Sequence, residues 1–429
     1  MEVSSASLNE TEIAMRADAR LQEPFAVPAD GELTGGEPKA ILLTGATGFL
    51  GTFLLAELLR ETAAEIFCLV RAASPAKGLA RIERARRHYE QPGELPPGRV
   101  HAVCGDLLHP CFGLAEPDYV RLARTLDTVI HGAAAMNFYQ AYETLRPANV
   151  GGTREILRFA THGRAKVLHY VSSAGVFDSP AYSGQLVRES DEPEHCAGSV
   201  TGYTQTKWVA ERLVLAARER GLPATIHRPP FITGHSETGV VDGDNLIVKM
   251  MAGCIQSGVW LDEPEPVDFV PVDYVSRAVV RLLCTPGIEG RTWHYDGTRR
   301  LRWADIGLAM RANGYAMELI PYPRWKQELR QFARAPANAL RPLVPLFLKV
   351  NRRLGRSVTD FYLEPPRPHF NGAATRAFLA QRGIAIPDLG DRMFGGYCDY
   401  MVRAGWAPPT PGARAAGAFV PPPARQANG

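Results

Sequence analysis

The chain lacks any cysteine pattern that would bind a metal or staple a secreted fold. Its seven cysteines, Cys68, Cys104, Cys111, Cys196, Cys254, Cys284 and Cys398, are odd in number and scattered, with no C-x-x-C pair and no Cys/His cluster. Free thiols in a reducing cytoplasm follow, and no metal site is expected. An excess of one charge is also missing: 48 Lys plus Arg stand against 45 Asp plus Glu, a net charge of +3. That balance argues against a nucleic-acid partner. Long apolar runs are absent as well. LVPLFLKV from Leu343 falls far short of the roughly 20 residues that span a bilayer, so stable membrane insertion is not expected. The opening MEVSSASLNETEIAMRADARLQE has acids where an export signal needs a basic start and an apolar core. A cytoplasmic location is the resulting expectation. What remains is an ordinary globular composition, with 429 residues at 45% hydrophobic content and no internal repeat. That is enough for one large domain or two joined ones.

Residues 1–36 read as a polar leader, ending in GELTGGEPK before the first buried strand. From there strand and helix alternate. AILLTG is followed by the helical period of FLGTFLLAELLRE; IFCLV, an Arg-rich helix, VHAVCGD and TVIHGAA come next. A helix over Tyr142 to Ala160 leads to KVLHYVSS, and a further helix leads to ATIHRP. Short apolar strands separated by helices predict an α/β fold, a Rossmann-like doubly wound parallel sheet covered on both faces. The sheet domain is assigned to residues 37–230 and is completed by 266–298, where PVDFVPVDYVSRAVVRLL reads as a return. Residues 231–265 and 299–408 are expected to form a smaller, mostly helical substrate domain, and 409–429, rich in Pro, Ala and Gly, a disordered tail.

TGATGFLG, Thr44 to Gly51, lies between the first strand and the first helix of this pattern. Its glycines, Gly45, Gly48 and Gly51, permit a tight turn in which backbone N–H groups and a helix N-terminus meet a pyrophosphate. The spacing is G-x-x-G-x-x-G. Dinucleotide binding is the reading, against a merely structural glycine turn. After the second strand an NAD site would place an acid to hold the ribose hydroxyls, but Arg71 stands there. A guanidinium pairs with a 2′-phosphate, so NADPH is expected, with Arg81 as a second arm. The bland alternative for both is a solvated helix arginine. Asp106, in CGDL, is placed to accept from the adenine amino group, or is simply a polar loop residue.

GYTQTKWVAERL places Tyr203 four residues before Lys207, on one face of a helix. Spacing alone decides nothing, because Tyr322 and Lys326 repeat it. Context separates the two pairs. HYVSSAGVF ends a strand where a Rossmann crevice opens, and it carries Ser173. Ser173 can donate to a carbonyl, Tyr203 can deliver a proton to its oxygen, and Lys207 can lower the phenol's pKa. Tyr322 and Lys326 have no such surroundings and are read as coincidence.

On these residues the chain resembles the extended short-chain dehydrogenase/reductases, and within them the thioester reductase domains that end nonribosomal peptide and polyketide synthetases and carboxylic acid reductases. The likeness runs from MRADARL near residue 15 to about Trp406, and it is most specific in TGATGFLG, HGAAAMNFYQAYETLRPANVGGT, GYTQTKWVAERL, RGLPATIHRPPFITG, DNLIVKMMAGCIQSG and FVPVDYV. It departs at Ser173, where the family often has Thr, and at Pro230, where Gly is common. The first leaves hydrogen bonding intact; the second touches the nicotinamide pocket. The resemblance implies cofactor contacts from Gly45, Thr47, Gly48, Phe49, Leu50 and Gly51, from Arg71, Arg81, Asp106 and Leu107, and from Gly132, Ala133, Ala134, Asn149, Tyr203, Lys207, Pro229 and Ile232. It implies substrate contacts from Asn137, Tyr139 and Gly234.

The resemblance also implies the reaction. Hydride from NADPH reduces an acyl thioester on a phosphopantetheine arm while Ser173 and Tyr203 stabilise and protonate the oxygen; the hemithioacetal then releases an aldehyde, which some relatives reduce again to an alcohol. The implied partner is a phosphopantetheinylated acyl- or peptidyl-carrier protein, or acyl-CoA, with the chain acting as a monomer or as a domain of a larger assembly. Between Arg324 and Arg356 nine basic residues, Arg324, Lys326, Arg330, Arg334, Arg341, Lys349, Arg352, Arg353 and Arg356, face only Glu328. This stretch either steers an acidic carrier or is an ordinary solvated surface. A fatty acyl-CoA reductase is the enzymatic alternative. A non-catalytic NADP-binding sensor or scaffold is the alternative of another class.

Overall fold

The structure is a computed structural model that describes residues 9–22, 24–28, 37–296, 301–332, 334–350, 355, 357–363 and 367–410. Its centre is a parallel sheet of seven strands: Ala40–Thr44 (β1), Glu65–Val70 (β2), Val100–Cys104 (β3), Thr128–His131 (β4), Val167–Val171 (β5), Ala224–Arg228 (β6) and Thr292–His294 (β7). Every residue of β1, β4 and β6 is buried. Strands buried along their whole length belong in the middle of a two-sided sheet. The order is β7-β6-β5-β4-β1-β2-β3, so the winding reverses between β1 and β4. A crevice opens beyond the carboxyl ends of the strands at such a switch point.

The crossovers are helices. Phe49–Glu61 (α2) follows β1, and Pro75–His88 (α3) follows β2. Glu116–Thr125 (α4) follows β3, and Gly202–Glu219 (α7) leads into β6. The helix expected from Tyr142 to Ala160 is broken into Tyr142–Arg146 (α5), a π-helical turn over Pro147–Gly151, and Gly152–Thr161 (α6). Pro147 has no N–H to continue the α-helical ladder, and the wider turn re-aims Asn149.

Two compact units divide the chain. The first takes the chain up to Pro230, Val275–Asp296 and residues 366–385; the second takes Phe231–Tyr274, residues 297–365 and the chain from Ile386. Three boundaries differ from the sequence reading. Inside the expected leader, Glu10–Asp18 is a helix (α1) started by an Asn9/Glu12 capping box. Its Met15 is fully buried, and its Asp18 carboxylate takes Arg146 and the Tyr142 hydroxyl (2.7 Å). The return to the sheet unit comes at Val275 rather than at 266, because Phe269–Pro271 pairs with Phe231–Thr233 in the second unit. Residues 366–385 also rejoin the sheet unit: His369–Asn371 pairs with Leu186–Arg188, and the Glu189 carboxylate accepts from Thr375 N (3.0 Å). These pairings are long-range and leave no local period to read.

The second unit packs around Trp260, Trp325, Leu329, Leu340 and Phe347. Tyr322 and Lys326, the decoy pair, both bond to the Asp360 carboxylate (2.7 and 2.6 Å), a structural tie. Leu343, Val344, Leu346 and Phe347 of the LVPLFL run are buried. Arg330, Arg334, Arg341 and Lys349 are exposed, and Arg324 pairs with Glu318. Arg352, Arg353, Arg356 and the tail from residue 411 lie outside the described residues. Among the described residues no helix is long and apolar enough to cross a membrane, and all seven cysteines are free thiols.

Candidate active site

The glycine turn is built so that side chains cannot occupy it. Gly45 sits at φ +81°, and a Cβ there would come within 2.9 Å of Ala133 N. A Cβ on Gly51 would lie 1.9 Å from Gly45 O, which makes glycine obligatory. Gly48 N donates to Gly45 O (2.9 Å) and caps α2 without a side-chain hydrogen bond, leaving the first-turn N–H groups facing outward. That is the cradle a pyrophosphate needs. Thr47, Phe49 and Leu50 belong to the same turn and are exposed or half-buried.

A polar chain ties this turn to the end of β4. Thr44 Oγ1 contacts His131 Nδ1 (2.8 Å) and accepts from Ala133 N (3.2 Å). His131 Nε2 meets Thr153 Oγ1 (3.3 Å), whose hydroxyl donates to Asn149 O (2.7 Å). The consistent tautomer puts the proton on Nε2. Burial, then the charge of Lys207, holds His131 down to about 3, so it is a neutral strut. Sequence reading missed it, although a histidine inside the apolar run TVIHG was the available signal. Asn149 closes the chain: Oδ1 accepts from Ala135 N (2.7 Å), and Nδ2 donates to Ala135 O (3.0 Å) and Thr206 Oγ1 (2.9 Å). Its side chain is thus spent on joining the segment after Gly132, Ala133 and Ala134 to α7.

Ser173 follows the carboxyl end of β5, and α7 brings Lys207 to that end with Tyr203 one turn before it. Thr201 starts α7 by accepting from Thr204 N (3.1 Å), which puts Tyr203 in the first turn. Gly202 is required there, since a Cβ would lie 2.3 Å from Gln140 O. Ser173 Oγ accepts from Gly175 N (3.1 Å), and a Cβ on Gly175 would meet Thr204 Cγ2 at 2.9 Å, so the Ser173 turn abuts the start of α7. Lys207 Nζ donates to Val171 O (2.6 Å) and lies 4.3 Å from the Tyr170 ring centroid. Burial lowers Lys207 to about 7, with Glu211 opposing the drop. Burial pushes the Tyr203 phenol up to about 12. The phenol thus stands above its ordinary value, where Lys207 was expected to lower it, and burial is the cause. A phenol in that range is fully protonated at neutral pH and can serve as an acid.

The other expected residues divide by location. Arg71 is exposed directly after β2, and the Arg81 guanidinium on α3 donates to the backbone Arg71 O (2.8 Å). Asp106 uses Oδ1 to accept from Leu108 N (3.0 Å), and its own N–H donates to Phe112 O (2.9 Å). Leu107 packs where a Cβ on Gly152 would meet it at 3.2 Å. Asn137 Oδ1 accepts from Tyr139 N (2.8 Å) and Gln140 N (3.1 Å), shaping a loop on which Tyr139 is about half exposed (48%). Phe138 of that loop stands edge-on to Tyr203, with ring centroids 6.3 Å apart. Pro229 O accepts from Ala174 N (2.9 Å). Ile232 and Gly234 belong to the second unit. There Ile232 O accepts from Asn245 Nδ2 (2.9 Å), and Gly234 O accepts from Tyr397 Oη (2.9 Å).

The family model described as male sterility protein, a nicotinamide-binding domain, matches residues 43–279, more than half of the chain. The chain is also 36% identical to the terminal R domain from the myxalamid PKS-NRPS biosynthetic pathway, covering 94% of this chain and 100% of that one with a TM-score of 0.84. The chain belongs to the male sterility protein family, among its terminal reductase domains. An isonitrile lipopeptide synthase of Streptomyces coeruleorubidus is 37% identical over 316 residues, 73% of this chain and 21% of that protein. The L-2-aminoadipate reductase of Penicillium chrysogenum is 33% identical in its large subunit over 418 residues, 92% of this chain and 29% of that protein. This reductase domain thus spans a minor part of the curated relatives it matches.

Proposed function

We propose that this reductase domain uses NADPH to reduce an acyl thioester, carried on a phosphopantetheine arm, to an aldehyde. The observation that carries the reading is that Lys207 donates to the last carbonyl of β5, two residues before Ser173, with Tyr203 one turn before Lys207 on α7. Gly45, Gly48 and Gly51 with the α2 N-terminus hold the pyrophosphate; Arg71 and Arg81 take the 2′-phosphate, which favours NADPH over NADH. When bound, the cofactor supplies hydride to the thioester carbonyl carbon. Ser173 donates a hydrogen bond to the carbonyl oxygen, and Tyr203, protonated at neutral pH, gives it a proton. Lys207, held on Val171 O, keeps positive charge near the oxygen as negative charge develops there. The resulting hemithioacetal breaks its C–S bond, releasing the thiol and the aldehyde.

A carrier protein as partner is supported by relatives that are parts of synthases. The test is NADPH oxidation with a panel of acyl-carrier and acyl-CoA thioesters, followed by product identification. Aldehyde from carrier-bound substrate, lost in Tyr203→Phe, is the expected result. Turnover of acyl-CoA alone would instead favour a fatty acyl-CoA reductase. Absence of any turnover with intact NADPH binding would favour a sensor.

A further inference from the structure

The first unit buries an ion pair that the reaction above does not use. Glu211 and Arg228 are 0% and 1% exposed. Arg228 Nε and Nη2 both donate to Glu211 Oε1 (2.9 and 2.7 Å), and the Ser172 hydroxyl donates to Glu211 Oε2. The remaining Arg228 nitrogen donates to Asp191 O (2.9 Å) and meets His294 Nε2 (3.0 Å), while the guanidinium carbon lies 4.9 Å from the Phe177 ring centroid. Desolvating two ions costs several kcal/mol each, and a well-packed apolar pair is often as stable, so stability is a weak reason for this arrangement.

Its location supplies a better one. Each member adjoins a residue of the site: Ser172 precedes Ser173, Arg228 precedes Pro229, and Glu211 lies one helical turn beyond Lys207 on the same face of α7. Backbone bonds from Ser172 N to His227 O (2.7 Å) and from Ala174 N to Pro229 O (2.9 Å) extend the tie between β5 and β6 past their ends. We propose that Glu211, clamped by Arg228 and Ser172, is the fixed counter-charge of Lys207 and the positioning residue that holds Ser173 and the catalytic helix in register. Tyr203 and Glu211 lie one turn either side of Lys207 on α7, and Tyr170 of β5 and His131 of β4 face it, with Arg228 of β6 behind Glu211. Glu211 is the one carboxylate among them. Replacing it with glutamine removes the negative charge and leaves the buried Arg228 cation uncompensated, and both changes disfavour protonated Lys207.

This inference rests on the proposed role of Lys207, so its test reads the lysine directly. With only seven lysines in the chain, the ¹³Cε resonance of Lys207 is assigned by its loss in Lys207→Arg and titrated without cofactor or substrate. The wild-type midpoint is expected at about 7, and in Glu211→Gln it moves to about pH 6, since a nearby charge is worth a unit or more. Glu211→Asp restores it. In the full reaction, kcat of Glu211→Gln falls about 10-fold or more while the NADPH Kd changes less than 2-fold, and the high-pH limb shifts with the lysine. Should Glu211→Gln fail to fold, the double variant Glu211→Met with Arg228→Met keeps the volume without the charges and is expected to fold and show a smaller shift of the same sign, because the Arg228 cation has gone with the carboxylate. A wild-type lysine midpoint in either folded variant overturns the proposal. A shifted midpoint with no thioester turnover by the wild-type protein leaves the counter-charge standing and sinks the reductase reading instead.

Discussion

Lowering the pH from 7.5 to 5.5 should strip most of the stability from the parallel sheet. His131, His169, His227 and His294 are each at most 2% exposed. Burial holds His131 and His169 down to about 3, and His227 and His294 well below the usual range. Neighbouring positive charge adds to the effect, from Lys207 on His131 and from Arg228 on His294. A depressed folded-state value means that the unfolded chain binds protons first. The stability is therefore complete above about pH 6.5 and is lost progressively as pH falls toward the folded value. At pH 5.5 each unfolded imidazole is about 90% protonated, which costs about 1.4 kcal/mol. Four such residues cost about 5 to 6 kcal/mol, comparable to the total stability of many domains, roughly 5–15 kcal/mol. Urea unfolding followed by circular dichroism at pH 7.5, 6.5 and 5.5 measures this as a falling midpoint. His169 Nδ1 and His227 Nε2 are 3.0 Å apart, so replacing both with glutamine lowers stability at every pH but should halve the slope. A midpoint that is flat across this range, or a slope unchanged in the double variant, would refute the argument.

Three further outcomes are expected. Gly51→Ala places a methyl 1.9 Å from Gly45 O, so the turn must shift and NADPH affinity, read by cofactor fluorescence, should fall at least about 100-fold while the fold persists. Arg71→Ala removes a charge-assisted contact worth about 1.5–3 kcal/mol, so NADPH affinity should fall about 10- to 100-fold with NADH affinity unchanged, and equal losses for both would count against the 2′-phosphate role. Asp18 is a buried carboxylate; burial raises its pKa, but hydrogen bonds from Arg146, Tyr142 and Arg154 outweigh that and hold it below the usual range. Its contribution is present above about pH 4 and lost as pH falls through the depressed value. Asp18→Asn should cost about 1–3 kcal/mol, at the low end because Arg146 is half exposed. Faster amide exchange across Glu10–Asp18 is the readout, and unchanged exchange would remove the tie.

The legible part of the fold was the part written in contiguous residues. AILLT, IFCLV and TVIH form strands because each is a short, mainly apolar run between helical periods, and ATIHR of β6 was placed by the helix before it. The seventh strand escaped notice because TWH is three residues long and owes its place to pairing with β6. Helix α1 was hidden among charges, although Asn9 and Glu12 spell the capping box that starts it. The π-helical turn at Pro147–Gly151 replaces a helix that periodicity alone would continue.

The chain's order of residues by itself determined the reductase character: glycines at Gly45, Gly48 and Gly51 between a strand and a helix, and Tyr203 and Lys207 one turn apart, are local patterns that sequence states directly. Their electrostatic state was decided only by tertiary structure. Tyr203 is pushed up and Lys207 down by burial, with Lys207 held on Val171, 36 residues earlier in the chain, and Glu211 reaches Arg228 and Ser172 only because β5, β6 and α7 meet. Residue spacing along a helix encodes who shares a face. Desolvation and charge pairing depend on what covers that face, and that covering comes from distant parts of the chain.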